Sequence, residues 1–129
     1  MTRRPEPGFP DLARALVDAG ARLIHGHSAH LFHGVERWKD GLILYDTGDF
    51  VDDYAVDEVE RNDLQFLFEV SFSPVGDVAL SLVPVRIEDF RVRHALPPER
   101  EWLFQRMRAL GSEDGIDWEV DGAMLQLAS

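Results

Sequence analysis

Leu64, Phe66, Phe68, Val70 and Phe72 alternate with mostly polar neighbours. This is the period-two signature of a strand with one buried face, so all five side chains are expected on a core-facing side. Pro74–Asp77 reads as a turn that returns the chain into Val78–Ile87, an antiparallel partner. Two shorter hairpins are predicted: Val35–Trp38 with Leu42–Tyr45 around Asp40-Gly41, and Ile116–Val120 with Ala123–Leu127 around Asp121-Gly122. Asp-Gly tolerates the positive φ of a tight turn. Helical spacing occurs twice. Leu12, Ala15, Leu16 and Ala19 define one face of a helix that begins near Pro10 and ends at Gly20. Leu103, Met107 and Leu110 define the stripe of a second helix over roughly Pro98–Leu110, with Glu99 and Glu101 in its first turn and Arg106 and Arg108 in its last. Residues 22–25 form a short strand after the first helix. The order helix, glycine turn, strand, loop belongs to a layered α and β arrangement in which ligands gather at the strand's C-terminal end. The expected fold class is α+β, a mixed sheet with flanking helices in a single domain spanning residues 1–129.

Residues 1–10, rich in Pro, Gly and charge, read as an irregular leader, and Asp46–Asp63 reads as a long acidic connection, a candidate flap or site wall. Eight acids face one base, Arg61, in that connection, and the chain as a whole carries a net charge of −11. That balance is unsuited to neutralising a phosphate backbone, so nucleic-acid binding is excluded. No apolar run approaches the ~18 residues needed to span a bilayer. Arg3 and Arg4 are not followed by the apolar core of a secretory signal, and the expected location is cytoplasmic. There are no cysteines, which removes disulfides, thiolate metal sites and cysteine nucleophiles. Any metal would be held by imidazole and carboxylate.

The chemistry concentrates in one place. Four of the five histidines, His25, His27, His30 and His33, fall within nine residues, at a strand-to-loop junction around Gly26. Neutral imidazole is the commonest transition-metal ligand, and a loop lets residues i and i+3 turn towards one ion. Two histidines do not complete a site, since a catalytic zinc takes about three protein ligands plus water. Asp46 and Asp49 are the nearest carboxylates in sequence, so a mononuclear site of His27, His30 and Asp49 stands as one option. A polar loop without metal stands as another. His33 is a candidate for contacting substrate or protonating a leaving group, and His25, inside the strand, is read as buried and structural.

Gly26-His27-Ser28-Ala29-His30, then Gly34-Val35-Glu36, then Leu42-Ile43-Leu44-Tyr45-Asp46-Thr47-Gly48-Asp49-Phe50 resemble a known pattern. It is that of the CapA-type proteins of poly-γ-glutamate (capsule) synthesis: Gly-His-x-x-His, a Gly-Ile/Val-Glu strand and a Tyr-Ser-Leu-Gly-Asn-Phe strand end. Asp52-Asp53-Tyr54-Ala55 and Arg61-Asn62-Asp63-Leu64 are similar to one subgroup in particular, and the likeness covers roughly residues 8–95. The family is placed among the calcineurin-like metallophosphoesterases. The resemblance therefore implies the C-terminal half of an α/β/β/α sandwich, a divalent metal ion (Mn, Zn or Fe), and His27 and His30 as metal ligands. His33 stands where the family usually has Gln, and Asp49 where it usually has Asn; these two are the catalytic candidates. The family's earlier Asp-x-His, Gly-Asp, Asn-His and His-Trp-Gly motifs do not occur in this sequence. The resemblance thus implies a metallohydrolase part that is inactive alone and completed by an N-terminal half-chain, or else a homo-oligomer. The alternative is a non-catalytic remnant that binds a ligand or partner.

Overall fold

In the computed structural model, two sheets stack on each other and one helix covers the smaller sheet. Residues 8–26, 32–48, 61, 63–89, 91–111 and 116–128 are described. His27, His30 and Asp49, the segment from residue 50 to residue 60, and most of the leader lie outside the described residues. The elements are α1 (Phe9–Asp18), β1 (Leu23–His25), β2 (Val35–Trp38), β3 (Gly41–Leu44), β4 (Leu64–Phe72), β5 (Val78–Glu88), β6 (Arg91–His94), α2 (Pro97–Gly111), β7 (Trp118–Asp121) and β8 (Met124–Leu127). The α+β class holds.

The small sheet has the order β1-β3-β2, with β1 parallel to β3 and β2 antiparallel to it. The β2–β3 reversal places Lys39 at a φ of 54° ahead of Gly41. Gly41 lies under α1, where an added Cβ would meet Val17 at 2.6 Å. The large sheet has the order β4-β5-β8-β7, and β6 also pairs with β5. The nine-residue register from Leu64↔Arg86 to Phe72↔Val78 matches the hairpin expected from the alternation. Along its other edge β5 serves two short partners, β8 at Ser81–Leu82 and β6 at Val85–Glu88. Pro84, which has no N–H to give, falls between them, and its carbonyl accepts the Ala95 N–H at 3.1 Å. Arg91–His94 carries no strand pattern in the sequence. Its Arg-Val-Arg-His has no apolar alternation, and it is a strand because β5 offers an edge.

One core joins the layers. Val35, Leu42 and Leu44 of the small sheet, Leu64, Phe66, Val78, Leu80 and Leu82 of the large one, and Leu103, Phe104 and Met107 of α2 belong to a single buried cluster. The β4 and β5 members all lie on one face. α2 therefore shares the interior with the small sheet, and among the described residues no helix covers the far face of the large sheet. A second cluster, Ala13, Val17 and Ile43 with Phe9, Ile24, Trp38 and Tyr45 packed around it, seats α1 on the small sheet.

Two expectations need correction. The buried line of α1 is Phe9, Ala13 and Val17; Leu12, Ala15, Leu16 and Ala19 are exposed, Leu12 to 59% and Leu16 to 45%. The two stripes have the same spacing and differ by one residue, about 100° of rotation. Ion pairs choose between them. Arg14 donates to both Glu36 oxygens, at 2.9 and 2.6 Å, and Asp18 accepts from Trp38 Nε1 at 2.9 Å and pairs with Lys39. Along β4, the predicted apolar face is buried only at Leu64 and Phe66. Phe68 and Val70 are half-buried and Phe72 is 57% exposed, because β4 runs out past the small sheet.

Candidate functional site: the base of the histidine loop

The histidine loop springs from β1 and returns to β2, and both of its ends are tied to the same stretch of chain. On the entry side the Gly26 N–H donates to the Leu44 carbonyl at 2.8 Å, and the Thr47 N–H donates to the Gly26 carbonyl at 3.3 Å. On the exit side Phe32 bridges to Thr47 and the His33 N–H donates to the Asp46 carbonyl at 2.9 Å. The segment from Leu44 to Thr47 is thus a common base that ties both Gly26 and Phe32, the described residues that flank His27 and His30 in sequence.

Packing at this base explains two of the glycines. A Cβ on Gly26 would collide with the Tyr45 carbonyl oxygen, so the chain can cross β3's end only without a side chain. Gly48 has a φ of 72°, and a Cβ there would meet the Gln65 side-chain oxygen and, at 3.0 Å, the Phe32 nitrogen. Asp46 is 3% exposed, and its Oδ1 accepts the Gly48 N–H at 2.8 Å, an Asx-type turn. Gly26→Ala is expected to lower stability by about 1–3 kcal/mol through the displaced Tyr45 carbonyl. Native-state hydrogen exchange should show the loss concentrated at Gly26, His33 and Thr47; protection unchanged there would refute the close-approach argument.

His33 is buried, at 4% exposure, beside the bridge to Thr47. His25 departs from the expectation of burial. It is exposed, and its Nε2 lies 2.9 Å from Thr47 Oγ1; among the described residues β1 is the last strand of its sheet. Gln65, fully buried against Gly48, was not legible as part of this base; its neighbours in sequence are strand residues and only the fold brings it here. Glu36 also has a role that the motif alone does not reveal. Hydrogen bonds from Arg14 hold its carboxyl below the usual range, burial opposes this, and the Tyr45 hydroxyl at 2.8 Å adds to the lowering. Glu36 therefore clamps α1 to the small sheet. Among the described residues no group of three or more His, Asp or Glu gathers as a metal cage. His25, Leu23, Leu44, Thr47, Gly48, Phe66, Leu67, Phe68 and Val70 line a mostly apolar cleft of about 230 Å³ beside the base.

The pattern of the family described as "Bacterial capsule synthesis protein PGA_cap" matches residues 1–54, the part that carries α1, the small sheet and the histidine loop. Over 115 residues, 85% of this chain, the sequence is 32% identical to a probable polyglutamine synthesis accessory protein of Mycobacterium tuberculosis. It is 33% identical over 86 residues, 67% of the chain, to the capsule biosynthesis protein CapA of Bacillus anthracis. The chain belongs to the CapA-type capsule synthesis family. A third member, the PGA biosynthesis protein CapA of Bacillus subtilis, is 27% identical over 116 residues, 88% of the chain. The chain spans 30%, 20% and 29% of the lengths of these three relatives, a coverage that fits a C-terminal portion of a CapA-type protein. Among the described residues no helix is long and apolar enough to cross a membrane.

Proposed function

We propose that this chain is the C-terminal part of a CapA-like metal-dependent phosphoesterase or related hydrolase of poly-γ-glutamate (capsule) synthesis, inactive until the rest of such a protein completes it. The observation that carries the reading is the histidine loop, tied at both ends to the Leu44–Thr47 base within the segment that matches the family. The donor set suits a divalent Mn, Zn or Fe ion in part: His27 and His30 offer two imidazoles three residues apart, and no thiolate competes. When bound, such an ion would polarise an ester oxygen and lower the pKa of a coordinated water. His27 and His30 would hold it. Asp49, the next residue in sequence after Gly48, is assigned a catalytic role. His33 is assigned to the proton of the leaving group.

Two ligands are too few for tight binding, so the isolated chain is expected to bind zinc or manganese with micromolar affinity or poorer. Titration calorimetry should lose its signal in both His27→Ala and His30→Ala. An unchanged isotherm in the double variant would remove the metal from this loop. Aryl phosphate and bis-aryl phosphate esters should not be turned over by the chain alone with manganese, nickel or zinc, because misplacement of reacting groups by about 1 Å costs roughly 100-fold. Turnover by the lone chain that His27→Ala abolishes would show a complete site here and overturn the need for a second part.

A further inference from the structure

The free edge of β1 sits in a slot that is apolar on both sides. β1 ends its sheet, pairing with β3 alone among the described residues. The Arg22 carbonyl and the Gly26 N–H face β3, so strand alternation turns the Leu23 N–H and carbonyl the other way, towards the open edge. Above that edge lies α1. Arg14 and Asp18 lean towards β2, where they meet Glu36 and Trp38. Leu12 and Leu16 are rotated about 100° to the opposite side of the buried Ala13–Val17 line, so they overhang β1 and the space beyond it. Below the edge lies the cleft walled by Leu23, Leu67, Phe68 and Val70. β4, which contributes its last three walls, is the terminal strand of the large sheet, so among the described residues both sheets stop on this side.

We infer that this slot receives a strand running parallel to β1, supplied by the portion of a CapA-type chain that precedes α1. The inference rests on the reading above that a longer protein completes this one, and it names the surface where that happens. Three observations select this occupant over a second copy. β1 already pairs in parallel with β3, and parallel strands belong to sheets whose faces are covered by crossover helices such as α1. α1 feeds directly into β1, and the helix of a strand–helix–strand crossover packs over both strands that it connects; Leu12 and Leu16 reach past β1, where among the described residues no further strand lies. The chain spans only 30% of the M. tuberculosis relative, so family members have ample sequence to supply the strand. Two copies joined across a two-fold axis at β1 would pair antiparallel, which the crossover does not call for. The incoming strand would be covered by α1 on one face and by β4 on the other, and should read as a near-continuous apolar run.

The test uses the 129-residue chain and, as probe, the portion of the M. tuberculosis relative that lies N-terminal to its alignment with this chain, co-expressed and mixed. A one-to-one complex is expected by sedimentation, with added hydrogen-exchange protection at the Leu23 amide. Leu12→Glu with Leu16→Glu, at positions already exposed, should leave the melting temperature of the isolated chain unchanged and weaken the complex at least about 100-fold. A probe that stays separate or insoluble with the wild-type chain overturns the proposal, as does a double variant that binds like wild type. Self-association of the chain that protects Leu23 and is lost in the double variant would assign the slot to a second copy, and also overturns it. A complex that forms and depends on the leucines but takes up no manganese sinks the metal reading and leaves the interface standing. Metal binding by the chain with no complex does the reverse.

Discussion

Phe66→Asp is expected to abolish folding, while Phe68→Asp, two residues along the same face, leaves a folded chain. Phe66 is 2% exposed, with its ring edge-on to Phe32 at 5.0 Å and to Phe68 at 6.3 Å. Truncating such a ring to alanine costs about 3–5 kcal/mol, and a carboxylate in its place adds the penalty of an unpaired buried charge. Together these approach the whole stability of an ordinary domain, about 5–15 kcal/mol. Phe68 lines the open cleft beside β1, where an aspartate keeps its water, so the expected loss there is about 1–2 kcal/mol. Circular dichroism and urea titration of the two variants decide the matter. Equal losses would mean that the cleft is closed in solution. In a complex that fills the slot beside β1, Phe68→Asp should weaken binding even though it leaves the isolated chain folded.

Glu99→Gln should lower stability by about 2 kcal/mol at neutral pH, roughly 8 °C in melting temperature, and most of that cost should be gone near pH 2. Burial works against the charged form of Glu99. Hydrogen bonds from Arg93 at 3.0 Å, from the Leu96 N–H at 2.8 Å and from Arg86 at 2.5 Å outweigh it and bring the carboxyl down to about 2. Because the folded value is depressed, the stabilisation is fully present above the ordinary carboxylate range near 4.5 and is lost as pH falls through about 2. The two arginines are about one-third exposed, which screens the pairs and keeps the figure well under what the shift alone would suggest. Glu36, also held below its ordinary range, adds to acid sensitivity in the same direction. Denaturant titrations of wild type and Glu99→Gln between pH 2 and 7 should converge at the acid end. A constant gap across that range would show that the effect comes from packing of the amide and not from the charge.

The Glu99 cluster also shows how the ends of the fold are joined. Arg86 comes from β5, Arg93 from β6, and Glu99 from the first turn of α2, where it accepts the Leu96 N–H. A carboxylate at that position was expected to favour a helix N-terminus. That it also holds β5 and β6 could not be read from spacing, since the pairing of Arg86 with Arg93 across the two strands depends on β6, a strand with no apolar signature.

Local pattern determined much of this protein. The alternation in residues 64–72, the Asp121-Gly122 turn, the proline and glycine limits of the helices and the clustering of four histidines around Gly26 each depend on neighbours a few residues apart, and each was visible without the fold. The turn expected at Asp40-Gly41 instead falls on Lys39-Asp40, with Lys39 taking the positive φ and Gly41 opening β3. The glycine of Gly-His-x-x-His has a reason that is nearly local too, since the Tyr45 carbonyl it must clear ends the strand that pairs with its own. Tertiary structure decided the rest. It chose Ala13 and Val17 over Leu12 and Leu16 as the buried face of α1, because Arg14 and Asp18 find Glu36 and Trp38 on β2 and Lys39 in the turn after it, and helical spacing cannot distinguish two stripes one residue apart. It exposed His25 and Phe72, because burial along a strand depends on which strand lies opposite. Gln65 and Asp46 came to the base of the histidine loop by the same route, since hydrogen-bond partners far apart in sequence are brought together only when the two sheets stack.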